Sequence, residues 1–246
     1  MLWYKWWLDT RHWFVLGVMV IAAQAVALYM SYPMDPATTF PNGALGVSPA
    51  EMTLLRGPDF RSYVWIRWFS TTMVVFWPAA AVALAGTGFE AAAGREALLS
   101  LPLTRRRIAL TRLAFVLAQL TAIAVLPTLV MCAMAPLVGQ RYPVGEALVQ
   151  CVLVVGGGFV IVGITVFMRT VTSDPAAYVG VGALIVLWGL LTFAAKRQIP
   201  YDIFRLMNGA DYFFTHRIPW TGLAGTVGAG AALLAISLRL VDRRDY

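Results

Sequence analysis

Charge is scarce in this chain. Only 13% of its 246 residues are Asp, Glu, Lys or Arg, about half the share usual in soluble domains, while 60% are hydrophobic and the mean hydropathy is +0.73. Lysine occurs twice, at Lys5 and Lys196, and neither follows a glycine, which excludes the Gly-x4-Gly-Lys-Ser/Thr loop that cradles nucleotide phosphates. Histidine also occurs twice, at His12 and His216, which the chain's apolar runs place on opposite sides of a bilayer, so they are not expected to share a metal ion. The two cysteines, Cys132 and Cys151, have no spacing motif and read as small apolar filler of membrane helices. The excess of base over acid, +7, is not gathered on a soluble face, so it reads as membrane topology and no nucleic-acid partner is expected.

What is present are long apolar runs without Asp, Glu, Lys, Arg or His, at 13–32, 69–85, 113–135, 147–168, 176–195 and 220–238. Each is close to the ~20 residues that cross the hydrocarbon as a helix, and unpaired backbone in lipid leaves helix as the choice. The expected fold is therefore all-α, a single six-span transmembrane domain over 1–246. Ala23-Gln24-Ala25 has the form of a leader-peptidase site, but the apolar run continues to Met30, so the first run is read as a retained span. Six spans place both termini on one side. That side is the cytoplasm, because the segments it would collect hold more than half of the 19 basic residues.

Trp3, Trp6, Trp7 and Trp13 interleave with Lys5, Asp9 and Arg11, as in an interfacial elbow helix lying before the chain turns inward. The outer loop from Pro33 to Tyr63 is rich in Pro and Gly, with Ser48-Pro49-Ala50-Glu51 offering one short helix. Lys196 to Trp220 carries Tyr201, Phe204, Tyr212, Phe213 and Phe214, too aromatic for a free loop, and is expected to dip into the outer leaflet edge as an interface segment or a gate. Small residues recur at packing spacing: Gly156, Gly157, Gly158 and Gly163, then Gly180 and Gly182, then Gly222, Gly225, Gly228 and Gly230. Pro78 and Pro127 interrupt two spans. The charge-free runs argue against an ion-coupled carrier or an intramembrane hydrolase, since both need ionisable or ligating groups inside the bundle. Gln24, Gln119 and Gln150 are the most polar mid-span residues and read as interhelical glue.

The most informative stretch is Phe89 to Arg112, between the second and third runs. Thr87-Gly88-Phe89-Glu90 has the form of a capping box, and Pro102 stops a helix at Leu101, which gives a cytoplasmic helix over about 88–101. Glu90, Arg95 and Glu96 point in different directions on it, as suits a rod held between the bundle and a second protein, although periodicity alone favours an ordinary interfacial helix in a positive-inside loop.

The order Glu90, then Gly94-Arg95-Glu96-Ala97-Leu98-Leu99-Ser100-Leu101-Pro102-Leu103-Thr104-Arg105-Arg106-Arg107-Ile108, resembles the signature E-x3-G-[T]-x-E-x-LL-S-x-P-[x]-[ST]-R-x-x-[IL] of permease subunits from bacterial ABC exporters of the type-two membrane-domain family. The layout is similar too, including the Arg243-Arg244-Asp245 tail. Arg95 stands where that signature has a small or hydroxyl residue, and Ala91 to Ala93 where the family is often charged. The resemblance implies a coupling helix docked on a separate ATP-binding subunit, with ATP and Mg held there and no cofactor or catalytic residue in this chain. It also implies a second permease copy or paralogue and residence in the inner membrane. On that reading Glu90 and Glu96 contact the ATPase, Gly94 allows close backbone approach, Leu98 and Leu99 pack, and Pro102 turns the chain into the next span. Arg105, Arg106 and Arg107 anchor to membrane lipid headgroups. A non-transporting membrane scaffold or assembly factor of the same architecture is the alternative.

Overall fold

The computed structural model describes residues 2–32, 59–91, 105–172, 180–185, 187–188 and 202–243. All the regular structure among them is helical: α1 (Leu2–Ser31), α2 (Phe60–Val64), a π-helix (Trp65–Met73), α3 (Val74–Ala91), α4 (Arg105–Met134), a 3₁₀ turn (Ala135–Val138), α5 (Val144–Val171), α6 (Ile203–Met207), α7 (Ala210–Thr215) and α8 (Trp220–Arg243). Among the described residues five stretches are long and apolar enough to cross a membrane: Trp6–Ser31, Phe60–Gly86, Arg106–Val138, Val144–Val171 and Trp220–Val241. The fifth expected span, 176–195, is described only at 180–185 and 187–188, which are helical.

The second of these, Phe60–Gly86, is the hub of the bundle. It starts where the Asp59 carboxylate accepts from the Arg61 and Ser62 amides, satisfying two of the donors that a helix start leaves open. Three indoles from this one span are fully buried and each reaches a different helix or loop position: Trp65 Nε1 donates to the Asn208 carbonyl at 2.8 Å, Trp68 Nε1 to Thr128 Oγ1 at 3.0 Å and Trp77 Nε1 to the Leu120 carbonyl at 3.1 Å. A buried indole N–H needs such a partner, so these bonds fix the rotation of the hub against α4 and against the segment before α8. The helices run through Pro78 and Pro127.

The interfacial elbow is not seen, because α1 is unbroken from Leu2 to Ser31. Its first turns are held on α4: Thr10 Oγ1 donates to the Trp6 carbonyl within α1 and accepts from Gln119 Nε2 at 2.9 Å, while the Arg112 guanidinium stacks 4.4 Å from the Trp6 ring centre. At the other end Tyr29 OH donates to the Met131 carbonyl. From Trp6 to Tyr29 is 23 positions of α1 and from Arg112 to Met131 is 19 positions of α4, about 34 and about 28 Å, which brackets the ~30 Å hydrocarbon thickness. The aromatic end and the arginine end of the bundle thus lie one bilayer apart.

That register also revises the expected span limits. Runs cut at every charge are the cores of longer helices, which take in Arg67, Arg112, Glu146 and Arg169. Arg112 and Arg169 are buried within the bundle, about two turns from the start of α4 and in the last turn of α5.

α5 and α8 pack closely through small residues. A Cβ on Gly163 would stand 2.8 Å from the Gly230 carbonyl oxygen, and Thr226 Oγ1 lies 3.3 Å from the Gly156 carbonyl. At Gly180, Gly182, Gly225 and Gly228 a Cβ would meet nothing within 4 Å among the described residues, so only part of the glycine pattern serves contacts among them. Cys132 and Cys151 are buried free thiols, and Cys151 Sγ donates to the Ala124 carbonyl at 3.4 Å.

Candidate functional site

Two regions concern function: the segment after α3 and the segment before α8. After α3, the helix expected to begin at Thr87 does not begin there. α3 carries on from Val74 through Thr87, Gly88, Phe89 and Glu90 to Ala91. Adding a residue to an existing helix costs less than nucleating a new one, so the capping-box residues are absorbed into the span's own ladder. Glu90 therefore sits in the last turn of α3. Gly94, Glu96, Leu98, Leu99 and Pro102 lie outside the described residues, as does the body of the expected 88–101 helix. Arg105 opens α4, and Arg106 in its first turn is exposed. Arg112, two turns into the same helix, is instead buried against Trp6.

Before α8, the aromatic segment Lys196 to Trp220, expected at a leaflet edge, has as its described part a helical hairpin, α6 and α7, set into the bundle. Asp202 caps α6 by accepting from the Phe204 amide at 3.0 Å. Asn208 Oδ1 accepts from the Ala210 amide at 2.8 Å, and Gly209 takes φ +63, a left-handed conformation that turns α6 into α7. His216 closes α7, also left-handed at φ 54. The Arg205 guanidinium pairs with Asp211 across the turn at 2.7 Å.

The hairpin is gripped from two sides. On α5, a Cβ at Gly157 would meet Met207 Cγ at 2.9 Å and the Met207 amide nitrogen at 3.2 Å, so the two backbones touch without an intervening side chain. The Gln150 amide occupies the place a Gly209 side chain would take. On the hub span, Phe213 lies in a slot. The Trp65 ring stacks on it at 4.4 Å and 16°, and the Arg61 guanidinium stands 4.9 Å from its centre. Arg61 Nε also donates to Glu146 Oε2 at 2.8 Å, which ties α2 to the first turn of α5. Met207, Asn208 and Ala210 are fully buried, as a free loop would not be.

Burial sets the protonation of this end of the bundle. Desolvation holds the Asp202 carboxyl above its ordinary 3.8, against the pull of the Phe204 and Arg205 amides and the Arg205 charge. Desolvation, and then the nearby Glu146 carboxylate, push the Tyr142 phenol up, so it stays a neutral hydroxyl. No group of three or more His, Cys, Asp or Glu able to hold a metal occurs among the described residues.

The aromatic content marks the hairpin in the sequence. Of its anchor positions, Gln150 and Gly157 stand out there only as interhelical glue and a small packing residue, and Arg61 and Trp65 not at all, because each becomes a partner of the hairpin only once three helices converge. No family model matches the chain, and no curated protein and no solved structure matches it.

Proposed function

We propose that this chain is the membrane-spanning permease subunit of an ATP-driven ABC exporter, working as a dimer with a second copy or a paralogue and coupled to separate ATP-binding subunits. The observation that carries the reading is the residue order from Glu90 to Ile108, which pairs two carboxylates, a glycine, a double leucine, a proline stop and an arginine run at the spacing of the coupling segment. The helical bundle, with its apolar spans, is compatible with it. Continuous α3 adds a mechanical element: a push on the chain just after Ala91 enters the hub span directly, since the helix is unbroken from Val74. Nucleotide binding on the partner would favour one position of that span over another, which is all that coupling requires.

On this reading Glu90 and Glu96 meet the ATPase, Gly94, Leu98 and Leu99 pack against it, Pro102 turns the chain and Arg105 to Arg107 hold inner-leaflet headgroups. ATP and Mg belong to the partner. Both termini face the cytoplasm of a bacterial inner membrane. The cargo suited to an apolar bundle is amphipathic or lipidic.

The test is affinity purification of the chain from its native membrane, followed by ATPase assay. An ATP-binding subunit should co-purify, and Glu96→Lys should lower stimulated hydrolysis or assembly while membrane insertion is unchanged. A complex that contains another membrane protein and no ATPase would favour the scaffold reading instead. Unchanged transport in Glu96→Lys would remove that residue from the contact.

A further inference from the structure

Hydroxyls in this bundle usually bond four residues back along their own helix: Thr10 to the Trp6 carbonyl, Thr121 to Leu117, Thr165 to Ile161 and Ser237 to Leu233. Within the π-helix Trp65–Met73 the step is five. Thr71 Oγ1 donates to the Ile66 carbonyl and Thr72 Oγ1 to the Arg67 carbonyl, both at 2.9 Å. Ser70, the residue before them, is 1% exposed and its hydroxyl has no hydrogen-bond partner. Four residues back from Ser70 is Ile66, whose carbonyl has been taken by Thr71.

These three hydroxyls therefore fit two ladders. In the observed π register Thr71 and Thr72 are bonded five residues back, while Ser70, whose five-step acceptor would be the Trp65 carbonyl, has no partner among the described residues. In an α register each steps by one carbonyl, Ser70 to Ile66, Thr71 to Arg67 and Thr72 to Trp68, and none is left over. An unpartnered buried hydroxyl is a standing cost, so something else must hold the π register. The hairpin is that constraint. Trp65, the first π residue, is bonded to Asn208 and stacked on Phe213, and Arg61 one turn earlier covers the same ring. A change of register would rotate Arg61 and Trp65 about the helix axis and carry them off the hairpin. Below the stretch Pro78 lacks the N–H that would bond to Val74, so the ladder has slack there as well. π-Helices are rare beyond a single turn and occur often at functional sites.

We propose that Trp65–Met73 is a two-register switch, π while Phe213 is seated between Arg61 and Trp65 and α once the hairpin is released, with Ser70, Thr71 and Thr72 as the positioning residues that index the two states. The switch rests on the hairpin and the hub span alone and stands whether or not the chain is an exporter subunit. Either site biases the other, as linkage demands.

The experiment is amide hydrogen exchange on the full chain in lipid nanodiscs, read at 204–213, at 69–74 and, as a control, within α5. Ser70→Ala removes the hydroxyl that the observed π register leaves without a partner. Hairpin amides should then exchange about fivefold more slowly, the weight of one hydrogen bond, with α5 unchanged, and Ser70→Thr should restore the original rate. Phe213→Ala should speed exchange at 69–74 as well as in the hairpin, and Ser70→Ala in that background should reverse part of the gain. Trp65→Phe, which keeps the ring and loses the bond to Asn208, gives the same reading if Phe213→Ala does not fold. Faster or unchanged hairpin exchange in Ser70→Ala, or a hairpin loosened by Phe213→Ala without any change at 69–74, overturns the switch.

Discussion

A Cβ on Gly158 would overlap the six-membered ring of Trp77, so α5 and the hub span meet at a point where one side offers only a hydrogen. Trp77 cannot yield easily, since it is fully buried and bonded through Nε1 to Leu120. Gly158→Ala should therefore destabilise the bundle by about 1–3 kcal/mol, the range for overpacking a close-packed interior. Gly228→Ala, in a helix and with open space around it, should be neutral or slightly stabilising because alanine is the better helix former. Thermal unfolding of the two variants in the same detergent separates them; equal midpoints would show that the Trp77 contact is not tight.

Phe213 between Trp65 and Arg61 offers a measurable coupling. Arg61→Gln and Phe213→Leu each remove the cation–π contact, and a double-mutant cycle should return an interaction of about 1 kcal/mol between them. Glu146→Gln should leave that term unchanged in sign, because the Arg61–Glu146 bond runs through Nε and not through the ring face. A cycle that closes to zero would mean that the guanidinium merely lies near the ring. The readout is the unfolding free energy in mixed micelles.

How far the chain can be read from its residues depends on which signal each element needs. Length and apolarity alone locate five of the helices, since a lipid span is a local property of about 20 residues. Boundaries drawn at a charge fall short: Arg112 and Arg169 are inside helices because an aromatic ring or neighbouring helix covers them, which no window along the sequence reports. The elbow and the capping box mislead for a related reason. Trp13 and Thr87 carry good local signals for a break, but α1 is held straight by Gln119 and Arg112 from another helix, and α3 is already nucleated upstream. The π-helix is invisible in the sequence, as Ser70-Thr71-Thr72 differs little from any hydroxyl run until its bonding step is seen.

Asp202 makes the hairpin sensitive to pH in a defined direction. Its carboxyl is raised in the fold above 3.8, so its contribution to stability is fully present below about that value and is lost as pH rises through the raised folded value. Asp202→Asn keeps an acceptor for the Phe204 amide without a charge to bury. The variant should hold the hairpin at least as firmly as the parent at neutral pH and flatten its pH dependence, while Asp202→Ala should lose the cap, at a cost of about 1 kcal/mol. Hydrogen exchange at 204–210, followed from acid to neutral pH, decides it. An Asn variant weaker than the parent at neutral pH would show that the charged carboxylate is the better cap.

Thr10 and Gln119 test whether the N-terminal turns belong to the bundle. Gln119 Nε2 donates to Thr10 Oγ1 in a buried setting, and Gln119 Oε1 already lacks a partner, so Thr10→Val leaves the whole amide without a hydrogen bond. That single change should cost about 1–3 kcal/mol. Gln119→Leu removes the stranded amide together with its need for a partner, so Thr10→Val combined with Gln119→Leu should be less destabilised than Thr10→Val alone. A helix lying free at the interface would give no such relation, because water would satisfy either side chain by itself. The discriminating result is the order of the three unfolding midpoints: double variant above Thr10→Val places α1 on α4 from its first turns, and additive losses would return those turns to the membrane surface.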